Sequence, residues 1–359
     1  MPLHAIDDIG DAIDATKSFL LPFAAKTWLK LAVVVFFIGG GGGGFNGLQN
    51  VGNFGGQDQP ADGGQSFPDG APTTVDGVLA EFGTELFVII GLALSLVLVF
   101  ALLSNLMEFV FVQSLVSREV HVRRYLRENV GNGLRLLVFR LALTALSLLL
   151  VVGFLYTVFV TAFGGNVDNI TVEGVFAILP LAIVFFLVVG LFQGLATGFT
   201  NMFVIPMMLT SDRGVLASWK RLLGSMRRNV KQYLAYLAFS VVLAIGVGII
   251  ASILGFVATV LVAIPFVLVA AVCWFFSHWV GLAGGTLVLA LFAVMVVLFV
   301  LMLLLVTSLI QVPLQAFLRY YAMLVLGDID EPLDPLPEVR SDIRADEFDD
   351  GEPPAADGV

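Results

Sequence analysis

Charge is what this sequence has least of. Residues 232–318 contain no Asp, Glu, Lys or Arg, and only 13% of the whole chain is charged. A chain of 359 residues that is 58% hydrophobic, with a mean hydropathy of +0.98, has no soluble interior large enough to hide its apolar surface. Lipid must cover the remainder, so the composition specifies a multi-pass membrane protein. Cysteine is nearly absent as well. Cys273 stands alone, which excludes an intrachain disulfide, a thiolate zinc cluster and a dithiol redox pair. His4, His121 and His278 lie too far apart in sequence to announce a metal site. No G-x-S-x-G, H-E-x-x-H or Walker sequence occurs, and the glycine run at residues 39–44 lacks the Lys-Ser/Thr that completes a phosphate loop. The expectation is a protein without catalytic residues, cofactor or metal.

The charge that is present is unevenly placed. The formal net charge of −10 arises in residues 328–359, where twelve acids face Arg340 and Arg344; elsewhere sixteen acids balance sixteen bases. Arg outnumbers Lys thirteen to five, and with the acidic tail this fits a high-salt cytoplasm. All eighteen bases fall in four zones, residues 17–30, 118–140, 213–231 and 319–344. Between them lie apolar runs at residues 27–44, 86–116, 136–163, 175–209, from 233 onward, and 287–326. With every basic zone on the cytoplasmic side, as the positive-inside rule asks, the chain crosses six times with both termini inside. In that scheme residues 257–280 form a re-entrant or interfacial segment; the alternative makes them a seventh span and puts the tail outside. The expected fold is all-α, a polytopic transmembrane helical bundle. Its domains are an amphipathic cytoplasmic helix at residues 1–25, a transmembrane domain at 26–326 with a Gly-rich extracytoplasmic loop at 45–81, and an acidic disordered cytoplasmic tail at 327–359.

An internal repeat supports this scheme. Sliding the chain by 94 residues sets Phe109-Val110 on Phe203-Val204, Ser117 on Ser211, Arg127 on Arg221 and Phe139 on Tyr233 without a gap, and a partial third copy ends at Tyr320-Tyr321. Each copy is a long apolar helix descending to a basic amphipathic elbow. In the second elbow, Trp219, Leu222, Leu223 and Met226 recur at helical spacing, and Lys220, Arg221, Arg227 and Arg228 fall off that face. Such a helix suits the membrane interface. Its cations, with Arg123, Arg124 and Arg127 of the first elbow, are expected to contact anionic lipid head groups.

Glu108 is the only acid within the strong spans, and a carboxylate there needs a partner or water. The expected partner is Arg140, a few turns inside on the antiparallel neighbour. The pair reads as a packing contact or, in the alternative, as part of a proton or ion relay. Asn105, Gln113, Gln193, Asn201, Gln311 and Gln315 are expected to bond between helices.

The stretches AIDDIGDAIDAT, TWLKLAVVVFFIGG, MEFVFVQSLVSREVHVRRY and VPLQAFLRYYAMLVLGD resemble an uncharacterised family of haloarchaeal multi-pass membrane proteins. The helix-elbow-helix pattern more distantly resembles the membrane domain attached to some bacterial glycerophosphodiester phosphodiesterases, whose soluble catalytic barrel has no counterpart here. The resemblance implies a membrane location and no catalytic residue. The leading expectation is a scaffold, membrane-organising protein or accessory subunit that meets anionic lipid and an unidentified membrane protein, not nucleic acid. The alternative is a transporter or channel for a small or lipid-like molecule.

Overall fold

A computed structural model describes residues 4–40, 75–166, 171–211, 214–279 and 285–342. The glycine run beyond Gly40, most of the 45–81 loop, the sequon residue Asn169 and the tail beyond residue 342 lie outside the described residues. The elements are all helical: α1 (His4–Leu20), α2 (Ala25–Gly40), α3 (Val75–Ser117), α4 (Val122–Glu128), α5 (Val130–Phe163) and α6 (Val172–Phe199). A π-helical turn (Thr200–Val204) joins α6 to α7 (Ile205–Ser211); then come α8 (Val215–Arg228), α9 (Val230–Trp279), α10 (Thr286–Ile329) and a 3-10 turn (Glu331–Leu333). Among the described residues there is no strand. Five helices are long and apolar enough to cross a membrane, and the pair α1–α2, bent by 120°, would make a sixth.

The long helices pair into three antiparallel hairpins, α2/α3, α5/α6 and α9/α10. Phe37 packs on Phe100 in the first, Phe154 stacks on Phe185 at 4.0 Å in the second, and Phe266 meets Phe299 in the third. All three are rooted in one base, and burial changes abruptly where they enter it. Residues 87–100 of α3 are exposed on every face, whereas residues 104–112 are buried on every face; residues 200–208 and 318–327 repeat the buried pattern on the other two returning helices. A helix apolar all round needs neighbours all round. At the base it has them, because the three returning ends touch one another and are wrapped by α1, α2, the elbows α4 and α8, and the first turns of α5 and α9. Farther out it has none, and the most apolar windows of the spanning helices are only 0–11% buried.

Two expectations are corrected. Of residues 257–280, those described, 257–279, are neither a re-entrant segment nor a separate span, because α9 runs unbroken for 50 residues through Pro265. A proline on an exposed face loses one backbone bond and kinks or weakens a helix, but neighbours on both sides that are strongly apolar keep it helical. The repeat is also gapped. The α4 elbow has 7 residues and the α8 elbow 14, and both end on an Asn-Val step, Asn129-Val130 and Asn229-Val230. Beyond the elbows the true offset is therefore 100, so Phe139 does not match Tyr233.

The chain beyond α10 does not leave the base at once. Arg340 binds Asp328 and Asp334 and donates to the Leu324 carbonyl, folding residues 330–342 back over the end of α10. Gly327 permits this close approach, since a Cβ there would clash with the Arg340 guanidinium and the Asp334 carboxylate. Asp8 of α1 is buried beside the same group, with Oδ2 unpartnered.

Candidate functional site: a buried polar layer and two basic elbows

Glu108, Arg140, Asn201 and Arg319 each stand nine or ten residues from the base end of a long helix. At 1.5 Å per residue that is one layer about 15 Å above the base end. Arg140 of α5 is its hub. Nη2 donates to Glu108 Oε2 at 2.7 Å and to Asn201 Oδ1 at 2.5 Å, and Nη1 donates to Asn105 Oδ1 at 2.5 Å. The Glu108 side chain is 0% exposed and that of Arg140 14%. The structure thus brings the two sequence-predicted charges together, and adds both asparagines.

Arg319 joins the layer for a reason local to the π-helical turn. There the Ile205 N–H bonds Thr200 O, five residues back. The next donor in that register would be residue 206, which is proline and has no N–H. Pro206 thus offers no backbone donor to Asn201 O in that register, and Arg319 Nη1 donates to this carbonyl from α10. Arg319 is only 4% exposed. Its grouping with the basic residues of the tail is therefore corrected: this guanidinium faces the protein interior. The sequence carried no direct signal for it, because in an α-helix Pro206 would withhold its donor from residue 202, and only the π register shifts this to Asn201. Tyr320 makes a parallel bond one residue on, its hydroxyl donating to Leu115 O at 2.9 Å. With one carboxylate and two guanidiniums, the layer carries a formal charge of +1. It ties a helix of each hairpin to the others.

The elbow cations divide. Arg123, Arg124 and Arg127 are exposed on α4; Arg124 Nε donates to Glu128 at 2.8 Å, which holds that carboxyl below its usual range, and the other two make no hydrogen bond or ion pair among the described residues. Along α8 each residue advances about 100°, which yields three sectors. Val215, Ser218, Leu222 and Ser225 are buried against the base. Arg221 and Arg228 face the returning tail, donating to Pro332 O at 3.1 Å and Asp330 Oδ2 at 2.8 Å. Lys220 and Arg227 share the third sector with Leu216 and Leu223, all exposed and without a polar partner among the described residues. The expectation that the apolar face of Trp219, Leu222, Leu223 and Met226 lies at the membrane interface is corrected for Trp219 and Leu222. Leu222 is fully buried, and Trp219 packs on Phe139 and donates its Nε1–H to Thr200 Oγ1 at 3.1 Å. A longer elbow spans from α7 to α9 and docks on the base, so protein takes the face that an isolated amphipathic helix would give to lipid.

Among the described residues no three His, Cys, Asp or Glu side chains form a metal-binding group. A family model described as a family of unknown function (DUF7544) matches residues 3–336. No curated protein and no solved structure matches the chain.

Proposed function

Since the chain belongs to this family of unknown function, DUF7544, no characterised relative lends it an activity, and we propose that it is a non-catalytic scaffold of the cell membrane. The observation that carries this reading is the one-ended packing. Three apolar hairpins are fastened at their roots and almost bare along their length. Surface of that extent must be met by acyl chains or by the helices of a partner, whereas a conduit needs spans that close around a path. In this reading the base lies on the cytoplasmic side, where the positive-inside rule puts the four basic zones, and the free elbow cations meet anionic head groups. The Arg-rich, acid-tailed composition fits a cell with high internal salt, in agreement with the haloarchaeal resemblance.

One observation favours a second reading. Glu108 Oε1 is buried without a partner, as a proton-carrying or ion-carrying carboxylate would be. Two measurements separate the readings. The tagged protein, extracted from its own membrane in mild detergent, should retain an integral membrane partner in fixed stoichiometry. Proteoliposomes of the purified chain should show no solute or proton flux above protein-free vesicles. Flux abolished by Glu108→Gln would overturn the scaffold reading and establish the carrier.

A further inference from the structure

The third sector of α8 opens onto a groove of about 280 Å³ between α8, the end of α6 and the first turns of α9. Phe199, Leu223, Met226, Leu234 and Leu237 line it, and Arg227 is its cation. Tyr233 also contributes, but its hydroxyl is spent on Ser225 Oγ at 3.1 Å, so the walls offer almost nothing polar. Leu223, Leu234 and Phe192, one α6 turn pair above Phe199, are 46%, 59% and 52% exposed, which makes the groove continuous with the bare apolar arms. Two neighbouring cations of the same elbow are occupied by the tail, but Arg227 is exposed and unpaired among the described residues.

We propose that this groove binds one anionic phospholipid, with its phosphate on Arg227 and the upper part of one acyl chain against Phe199, Leu234 and Leu237. The inference deepens the scaffold reading and rests on it for the presence of lipid around the base. Charge and shape select the occupant. An unpaired guanidinium at the mouth of an apolar trough matches a molecule that is anionic at one end and hydrocarbon at the other. The trough lies below the roughly 300–1,000 Å³ of sites that enclose a whole small molecule. A packed helix, about 10 Å across, would need a longer seat. Free phosphate would use the cation and leave the hydrocarbon walls to water. Lys220, on the same sector two turns earlier, adds attraction for the anionic leaflet without touching the groove.

The test uses the full chain in detergent micelles, titrated with phosphatidylglycerol and read by native mass spectrometry. The chain should hold one lipid more tightly than any others. Arg227→Gln should weaken that site tenfold or more, and Leu237→Trp, which fills the trough, should abolish it; Leu234→Phe serves if the tryptophan variant does not fold. Arg228→Gln, on the tail sector, should leave it unchanged. Glycerol phosphate, the head group without a chain, should not displace the lipid at a hundredfold excess. Wild-type affinity in Arg227→Gln or in both groove-filling variants would overturn the proposal, and so would displacement by glycerol phosphate, which would reduce the site to a bare anion contact. Failure of the scaffold reading gives a different result: the lipid is retained and the membrane partner is missing.

Discussion

A single proline explains why a buried arginine stands among apolar helices. Pro206 cannot supply the donor that the π-helical turn demands for Asn201 O, and Arg319 supplies it across the base. Arg319→Met should destabilise the fold by about 1–3 kcal/mol, the cost of losing a buried hydrogen bond from a charged donor. Adding Pro206→Ala returns an N–H to the helix and should recover part of that loss in detergent-phase unfolding; strict additivity of the two changes would refute the coupling. At the hub, Arg140→Met leaves Glu108 buried and uncompensated, at about 3–5 kcal/mol, whereas replacing both charges with apolar residues should cost much less. Asp8 makes a pH-dependent contribution. Burial first, and then sharing a hydrogen bond with the Asp328 carboxylate, raises its pKa to about 8, against the pull of Arg340. A carboxyl whose folded pKa is raised favours the folded state below its ordinary pKa, about 3.9, and loses that contribution as pH rises through about 8. Docking of α1 should therefore loosen from pH 5 to pH 9, read as cleavage within α1 by a protease corrected for its own pH profile. Asp8→Asn should flatten the response, and a site more protected at high pH would contradict it.

Elements were legible in the sequence to the extent that periodicity and charge placement determine them. The long helices, both elbows and the pairing of Glu108 with Arg140 followed from apolar run lengths, from the basic zones and from two charges on antiparallel neighbours. What escaped depends on contacts distant in sequence. Arg319 reads as one more surface base until Asn201 is placed beside it, 118 residues away. The added two turns of α8 are hidden because apolar residues match one another in almost any register. Its division into three sectors depends on the tail returning to claim Arg221 and Arg228, which amphipathicity alone does not reveal. This division is testable within one helix. Leu222→Ala should cost about 2–5 kcal/mol, as a fully buried leucine does, while Leu216→Ala, whose side chain is 75% exposed, should stay within about 0.5 kcal/mol. Equal effects would mean that lipid, not the base, holds the elbow.

For the whole molecule, a single joint at one end determines the shape, and the proposed sidedness follows from it. The described parts of both termini, both elbows and the roots of all hairpins share that end. In a Cys273→Ser background, cysteines at Arg127, Arg227 and Ser341 should label from one side of sealed vesicles, and cysteines at Gly165 and Gly285 from the other; any exchange between the sets would break the six-crossing arrangement. The joint also imposes an order on synthesis. Glu108 and Arg140 are 32 residues apart and can neutralise each other as soon as the second hairpin enters the bilayer. The guanidinium that binds the second returning helix emerges only with Arg319, 118 residues after Asn201. Until then, a nascent chain has its first two hairpins but no finished root, because the Arg319 contact to Asn201 O is still missing. Locking of the base therefore waits on α10, and a chain released before Arg319 should be left with a loose root, more open to proteolysis than the full one.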